Sequence, residues 1–181
     1  MWGGVIASLI LVVFGIATTV VGVLGIREVR DTLADENIIG PEDSDIPGQL
    51  VDTGSEAQAQ ADIIRQHQLE ATGGLTYSET GRFATEDGDP RGTNNADEAA
   101  KDEDGRPISN PARNQWVTAT ALSTSLNTAY FAEQVGYFAI VMGIALLLTG
   151  IGFGVLTWQV LRNTQDFAAA GGSPQPTTSD G

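Results

Sequence analysis

The chain has 181 residues, no cysteine and a formal net charge of −14 at pH 7. The absence of cysteine excludes a disulfide framework and any thiolate site. The acidity argues against nucleic acid as a partner, because its phosphates would be repelled rather than neutralised. The charge is unevenly spread, since residues 27–134 hold 21 of the 23 carboxylates and eight of the nine basic side chains. The chain therefore has two apolar ends and an acidic middle.

Each apolar end contains a long run without a charged side chain, at residues 1–26 and 135–161. Roughly 20 apolar residues cross the hydrocarbon of a bilayer as an α-helix, so both runs are long enough. A cleaved signal peptide is the alternative for the first run. That run lacks a basic start, however, and it exceeds the usual apolar region of a signal peptide. We predict two transmembrane helices joined by a loop over 27–134.

Small residues form a stripe along both predicted spans. In the first span the stripe follows a sevenfold spacing through Gly4, Thr18 and Gly25, with the larger Leu11 at the remaining position and Gly15 and Gly22 alongside. In the second span it comprises Gly136, Gly143, Gly150 and Gly154. Lipid gives helices no hydrophobic incentive to associate, so close approach through small residues is a common solution. Either glycine is simply frequent here, or the spans pack as an antiparallel hairpin or against partner helices. Gly143, Gly150 and Gly154 are our candidate interaction residues.

Helical periodicity continues beyond the first span. Ile26, Val29 and Leu33 keep the spacing of one helical face, which predicts a stalk to about Ala34. The stretch PEDSDIPG at 41–48 then breaks the helix with two prolines and a glycine.

A short capped helix is predicted in the loop, over residues 56–72. Ser55 and Gln58 match a capping box, with Ser55 as the N-cap. Gly73 supplies the left-handed residue that ends the helix.

The rest of the loop is poor in Leu, Ile, Val and Phe, and no globular core is obvious in it. Residues 80–109 are rich in Gly, Asp and Glu and predict a flexible acidic insertion. Asn110 and Pro111 then fit the N-cap and first position of a helical stalk that continues into the second span. Residues 162–181 are predicted to be a disordered tail. The fold class is all-α: a two-transmembrane-helix hairpin with helical stalks, a capped loop helix and the flexible insertion.

The single histidine, His67, is the first candidate for chemistry. A common non-haem iron site needs two histidines and a carboxylate, and a catalytic zinc site needs about three protein ligands. One histidine and no cysteine meet neither pattern within one chain. We therefore predict no catalytic, cofactor-binding or metal-ligating residue, and we treat His67, Glu70 and Tyr77 as candidate interaction or structural residues. A metal site shared between copies and a pH-sensing His67 are the alternatives.

Two acidic strings, EDGD at 86–89 and DEDG at 102–105, also suggest cation binding. Neither has the ligand spacing of an EF-hand loop. We interpret both as solvated loop, with weak cation binding as the alternative.

Two stretches carry a family resemblance: TLADENI at Thr32–Ile38 and AQADIIRQHQLEATGGLTY at Ala59–Tyr77. Together with a Ser/Thr/Leu/Ala helix that enters a second span, they resemble a family of small two-pass membrane proteins from actinobacteria. The resemblance covers most of residues 1–79 and 114–161. It implies a two-pass topology and no established activity. Some members bear the label of an aromatic ring-opening dioxygenase, but extradiol cleavage needs an iron site that this chain cannot build.

Two spans place both termini on one side of the membrane. Loops beyond about 60 residues translocate largely regardless of charge, so we expect cytoplasmic termini and an extracytoplasmic loop in the plasma membrane. The positive-inside rule favours the opposite orientation, because two arginines, Arg27 and Arg30, flank the loop side and only Arg162 flanks the terminal side.

The predicted function is that of a non-catalytic interaction, assembly or envelope-associated subunit. Its expected partners are the lipid bilayer and either another protein or a second copy, bound through the small-residue helix faces. The alternatives are a metal-dependent enzyme and a component of a small oligomeric pore or transporter. The uncharged spans count against an ion pathway in this chain.

Overall fold

A computed structural model of the chain describes residues 2–170, with side chains over 3–162. Three α-helices follow one another: α1 at Trp2–Asp35, α2 at Gly54–Ala71 and α3 at Pro111–Ala170. A single 3₁₀ turn lies at Tyr77–Glu79. Within the described range, extended pairing is limited to isolated bridges, so the protein is all-helical.

The chain divides into two compact units. We call Met1–Leu24 with Gly136–Gly181 the paired-helix unit and Gly25–Val135 the loop unit. Both α1 and α3 contribute to each unit, whereas α2 belongs to the loop unit alone.

Two helical segments, Gly3–Asp35 and Pro111–Arg162, are long and apolar enough to cross a membrane. Only 17% of the apolar window of the first and 11% of that of the second are buried. The core helix of a soluble protein would be mostly covered. The apolar side chains of these helices are therefore largely left uncovered by the described part of the chain.

The far end of α3 differs from the prediction of a disordered tail at 162–181. The helix continues to Ala170, because residues 163–170 contain neither glycine nor proline and end in three alanines, which favour helix. Residues 171–181 lie outside the described part of the chain.

In the paired-helix unit, α1 and α3 meet in antiparallel order through glycines. A Cβ atom on Gly15 would lie 2.6 Å from the backbone nitrogen of Leu147, and one on Gly22 would lie 2.7 Å from the carbonyl oxygen of Gly136. The hydroxyl of Ser8 donates to the carbonyl of Gly150 at 2.7 Å. Backbones this close leave no space for a side chain. Gly25, which ends the predicted stripe, has nothing within 4 Å of its Cβ position.

The loop unit has a small hydrophobic core that the sequence did not reveal. Its buried members come from all three helices and from the loop between α1 and α2: Leu33, Ile46, Val51, Ala57, Ala61 and Leu126. The core forms despite the sparse large apolar residues because Ala57 and Ala61 let α2 approach closely. Val51 is completely excluded from solvent.

The N-cap of α2 lies two residues before the predicted one. Thr53, not Ser55, is the N-cap: its hydroxyl accepts from the backbone N–H of Glu56 at 3.4 Å. In return, Glu56 accepts from the backbone N–H groups of Asp52 and Thr53 at 3.0 and 2.9 Å. Burial opposes ionisation of Glu56, but these hydrogen bonds outweigh it and hold its pKa below the ordinary value.

At its other end, α2 terminates in a Schellman motif. The N–H of Gly73 bonds to the carbonyl of Glu70 at 3.1 Å, and that of Gly74 bonds to the carbonyl of Leu69 at 2.7 Å. Gly73 has a φ of +63°, which glycine adopts without strain.

We expect Thr53→Ala to destabilise α2 by about 1 kcal/mol, because the helix loses its cap. Ser55→Ala is the matched control and is expected to change stability by less than about 0.5 kcal/mol, since Ser55 is exposed. Amide hydrogen exchange across α2 measures both. If Ser55→Ala lost more amide protection than Thr53→Ala, Ser55 would be the N-cap, as predicted from the sequence.

Residues 80–109 differ from the predicted flexible insertion, because the structure gives them a defined path. Phe83 bridges to both Thr93 and Ser109, and Lys101 bridges to Pro107. The segment is poor in apolar residues, and backbone hydrogen bonds connect its turns.

Asn110 ties this segment to the start of α3. Its side-chain oxygen accepts from the N–H of Ala112 at 3.0 Å, and its amide donates to the carbonyls of Gly81 and Pro90 at 3.1 and 3.0 Å. Only 2% of Asn110 is exposed. The buried amide thus caps α3 and fixes two turns of the insertion.

Candidate functional site

His67 lies on α2 and forms a side-chain hydrogen bond across the loop unit. Its Nε2 donates to Oδ2 of Asp43 at 2.6 Å, and the two side chains are 45% and 59% exposed. This hydrogen bond holds the pKa of Asp43 below its ordinary value. The contact joins α2 to the 41–48 turn. His67 therefore has a side-chain partner within the loop unit.

The sign of the pH dependence follows from the lowered pKa of Asp43. A carboxyl group with a lower pKa in the folded chain contributes stability above its unfolded pKa, and this contribution is lost as the pH falls through the folded pKa. We expect His67→Ala to raise the pKa of Asp43 towards the ordinary range, as measured by carboxyl ¹³C NMR. Glu79, held by Thr76, is the internal control and should titrate unchanged. An unmoved Asp43 titration would show that His67 does not hold it.

Glu70 and Tyr77, the other two candidates of the resembling stretch, have separate partners. Glu70 accepts from the side-chain amide of Gln66, one turn earlier, at 3.0 Å. The guanidinium of Arg113 lies over the ring of Tyr77, 3.9 Å from its centre. Arg113 also donates to the carbonyls of Tyr77 and Thr80 at 3.1 and 2.6 Å. These side chains fix local structure and do not converge on one point with His67.

The glycine candidates belong to the paired-helix unit. Cβ positions on Gly143 and Gly150 meet the backbone of α1, with the Gly15 carbonyl oxygen 2.7 Å from the first and the Val12 nitrogen 2.9 Å from the second. A Cβ on Gly154 would lie 2.8 Å from the hydroxyl of Ser8. These three glycines thus face the other helix of the same chain.

Glu133 is a connecting residue that sequence reasoning missed. Its carboxylate, 4% exposed, accepts from Nε of Arg30 at 2.6 Å and from the backbone N–H of Gly54 at 3.0 Å. One buried side chain on α3 thereby binds both α1 and the first turn of α2.

The sequence did contain a signal for Glu133. It is the only charged residue between Arg113 and Arg162, and two-pass connectivity brings the start of the second span near the end of the first, where Arg30 lies. A lone carboxylate beside an apolar span needs a partner, since an unpaired buried charge is costly.

The acidic strings of the insertion are used in local turns. Arg106 pairs with Asp102 at 3.1 Å and with Asp104 at 2.5 Å. Over the described residues, no three His, Asp or Glu side chains are grouped closely enough to hold a metal ion.

An open groove with a volume of about 780 Å³ lies between α1, α2 and α3 in the loop unit. Its floor is apolar and includes Val29, Leu33, Ile38, Ile64 and Leu126. We call this the stalk groove. An open, mainly apolar groove with a few polar groups is typical of a ligand-binding or partner-binding site.

The rim of the stalk groove is acidic. Glu28 lines it from α1 and Glu36 from the turn directly after α1, and none of the described lining residues is a lysine or arginine. Gln60 lines the groove from α2, and its buried side-chain oxygen meets no hydrogen-bond donor among the described residues.

A second cavity of about 570 Å³ extends the stalk groove along α2 and α3. Ile64 and Leu122 line both cavities, and Asn114 lies at the far end of the second. We call the two cavities together the extended groove. Between the acidic rim and His67, the lining of the extended groove consists of apolar and uncharged polar side chains.

Comparisons with protein-family models, curated proteins and solved structures give no significant match to this chain. The function must therefore be argued from the geometry itself.

Proposed function

We propose that this protein is a non-catalytic, two-pass protein of the plasma membrane whose loop unit docks a partner protein. The observation that carries the proposal is the contrast between its two surfaces. The long helices present apolar side chains suited to lipid, and the loop unit presents one open apolar groove with an acidic rim. Several charged side chains of the loop unit, among them Arg113 and Glu133, are engaged in structural contacts.

The glycine faces of the paired-helix unit are poor candidates for the docking surface, because they are already occupied. In the paired-helix unit, Gly15, Gly143 and Gly150 lie against the other helix of the same chain. A partner that used these faces would have to displace that helix. We therefore place the partner surface on the loop unit.

The proposed topology has cytoplasmic termini and an extracytoplasmic loop. Alkaline phosphatase, which is active only outside the cytoplasm, fused at residue 95 tests it. If the fusion at residue 95 is inactive and a fusion at the C-terminus is active, the orientation is the reverse of the proposed one.

Purification of the full chain from native membranes in mild detergent tests the function. We expect a partner protein in a stoichiometric amount, and a second copy of this chain would also support an assembly role. A lone monomer contradicts the proposal, and so does iron or zinc near one per chain together with an assayable reaction.

A further inference from the structure

We propose that the extended groove binds a single amphipathic helix of the partner protein, with an apolar face and basic residues along one edge. This inference rests on the proposed function, which it deepens by stating the chemistry of the partner. It is carried by the length of the groove, the charge of its rim and the unsatisfied side-chain oxygen of Gln60.

The length favours a helix over a compact ligand. The two cavities run along α3 from Ala132 to Asn114, about 27 Å at 1.5 Å per residue. A helix of about 18 residues spans that distance. The walls are themselves helices, and Ile64 and Leu122 stand midway as apolar contacts for one face of the occupant. Helix-in-groove binding is an established mode for an amphipathic segment.

The rim charge sets the sign of the occupant. Glu28 lies on α1 and Glu36 lies eight residues later, in the turn directly after α1, and the structure describes no ion pair for either. Two arginines or lysines seven or eight residues apart on the occupant would face them.

The negative charge of the rim disfavours other occupants of the groove. A second copy of the loop unit is itself strongly acidic, with 21 carboxylates against eight basic groups in residues 27–134. The chain's own residues 171–181 contain Asp180 and no basic residue, so they also lack the needed charge. Anionic lipid headgroups would be repelled in the same way.

Gln60 gives the occupant a hydrogen-bonding role. Its buried side-chain oxygen meets no donor among the described residues, and a buried acceptor without a donor costs stability. Rotation of the Gln60 side chain towards an N–H or O–H group on the occupant would remove that cost. A purely hydrocarbon chain could not do so.

The test uses the full chain in phosphatidylcholine nanodiscs and a fluorescent 18-residue helical peptide. The probe carries leucines on one face and two arginines eight positions apart, and a second probe has glutamates at those two positions. Fluorescence anisotropy, corrected with empty nanodiscs, reports binding. We expect the arginine peptide to bind at least tenfold more tightly than the glutamate peptide.

Two matched pairs of variants locate the binding. Glu28→Gln with Glu36→Gln is expected to weaken binding of the arginine peptide about fivefold. Asp31→Asn with Asp35→Asn removes the same charge from exposed positions of α1 outside the groove lining, and should weaken it less than twofold. Leu122→Ser should weaken binding more than Val117→Ser, because both side chains are exposed but only Leu122 lines the groove.

Four results would overturn the proposal. They are equal weakening by the two charge-removing variants, equal affinity of the two peptides, no binding above empty nanodiscs, and a phospholipid that co-purifies with the chain but is lost in Leu122→Ser. Circular dichroism of each variant checks that the helices remain folded.

Co-purification distinguishes a failure of the groove proposal from a failure of the proposed function. If a native partner co-purifies equally well with Glu28→Gln/Glu36→Gln, the chain is a docking subunit but the groove is not its docking site. If no partner is recovered at all, the proposed function fails, and the peptide measurements still report what the groove can bind.

Discussion

Glu133→Ala is expected to destabilise the loop unit by about 2–3 kcal/mol. The substitution removes two charge-assisted hydrogen bonds and leaves the buried N–H of Gly54 without its acceptor. Arg30 is 42% exposed, so water can solvate its guanidinium and limit the loss. Hydrogen exchange of the α2 amides in nanodiscs should show roughly 30-fold to 100-fold lower protection, at about 1.4 kcal/mol for each tenfold change.

Two further variants separate the possible causes. Glu133→Gln keeps an acceptor for Gly54 but not the charge, and should lose about half as much stability. Glu103→Ala removes an exposed glutamate from the insertion and is expected to have little effect. Similar protection in the Glu133→Ala and Glu103→Ala proteins would mean that Glu133 does not hold the three helices together.

Gly143→Leu is expected to weaken the pairing of α1 and α3 by about 1–3 kcal/mol, because its Cβ would press on the backbone of Gly15 and on Thr19. Gly152→Leu, on the same helix, is the control, since nothing lies within 4 Å of its Cβ position.

An engineered disulfide measures this pairing in a chain that has no cysteine of its own. A Cβ on Gly4 would lie 3.6 Å from the Cβ of Thr157, which suits a disulfide between Gly4→Cys and Thr157→Cys. Under mild oxidation, Gly143→Leu should slow intrachain disulfide formation about tenfold, and Gly152→Leu should leave it unchanged. A cross-linked dimer in place of the intrachain product would show that the glycine faces pair two copies.

The long helices could be predicted from the sequence because lipid imposes a simple condition. A span must exclude charge over about 20 residues, and residues 1–26 and 135–161 do so. Pro111 also began its helix where expected, since proline at the first position leaves no hydrogen bond unmade.

The capping box of α2 was less predictable, because two patterns overlap within six residues. Thr53 with Glu56 and Ser55 with Gln58 both fit the motif. The charged Glu56 is the stronger acceptor, and its charge also complements the helix dipole. In addition, the earlier start places Gly54 against Glu133, a tertiary contact that local sequence does not encode.

The candidate site was predictable only in part. His67, Glu70 and Tyr77 were identified from sequence, but their partners Asp43, Gln66 and Arg113 emerged with the fold. The stalk groove combines residues from three helices that are far apart in the chain. No spacing rule links Glu28, Gln60 and Leu122, so the groove could not be foreseen.

A backbone hydrogen bond joins the two ends of the insertion. The N–H of Asn110 donates to the carbonyl of Arg82 at 2.9 Å, so the chain leaves and returns at one place. An excursion with joined ends can lengthen or shorten without moving the helices on either side. The segment between positions 82 and 110 is thus expected to tolerate changes in length, and its outer turns offer a place to graft a reporter domain.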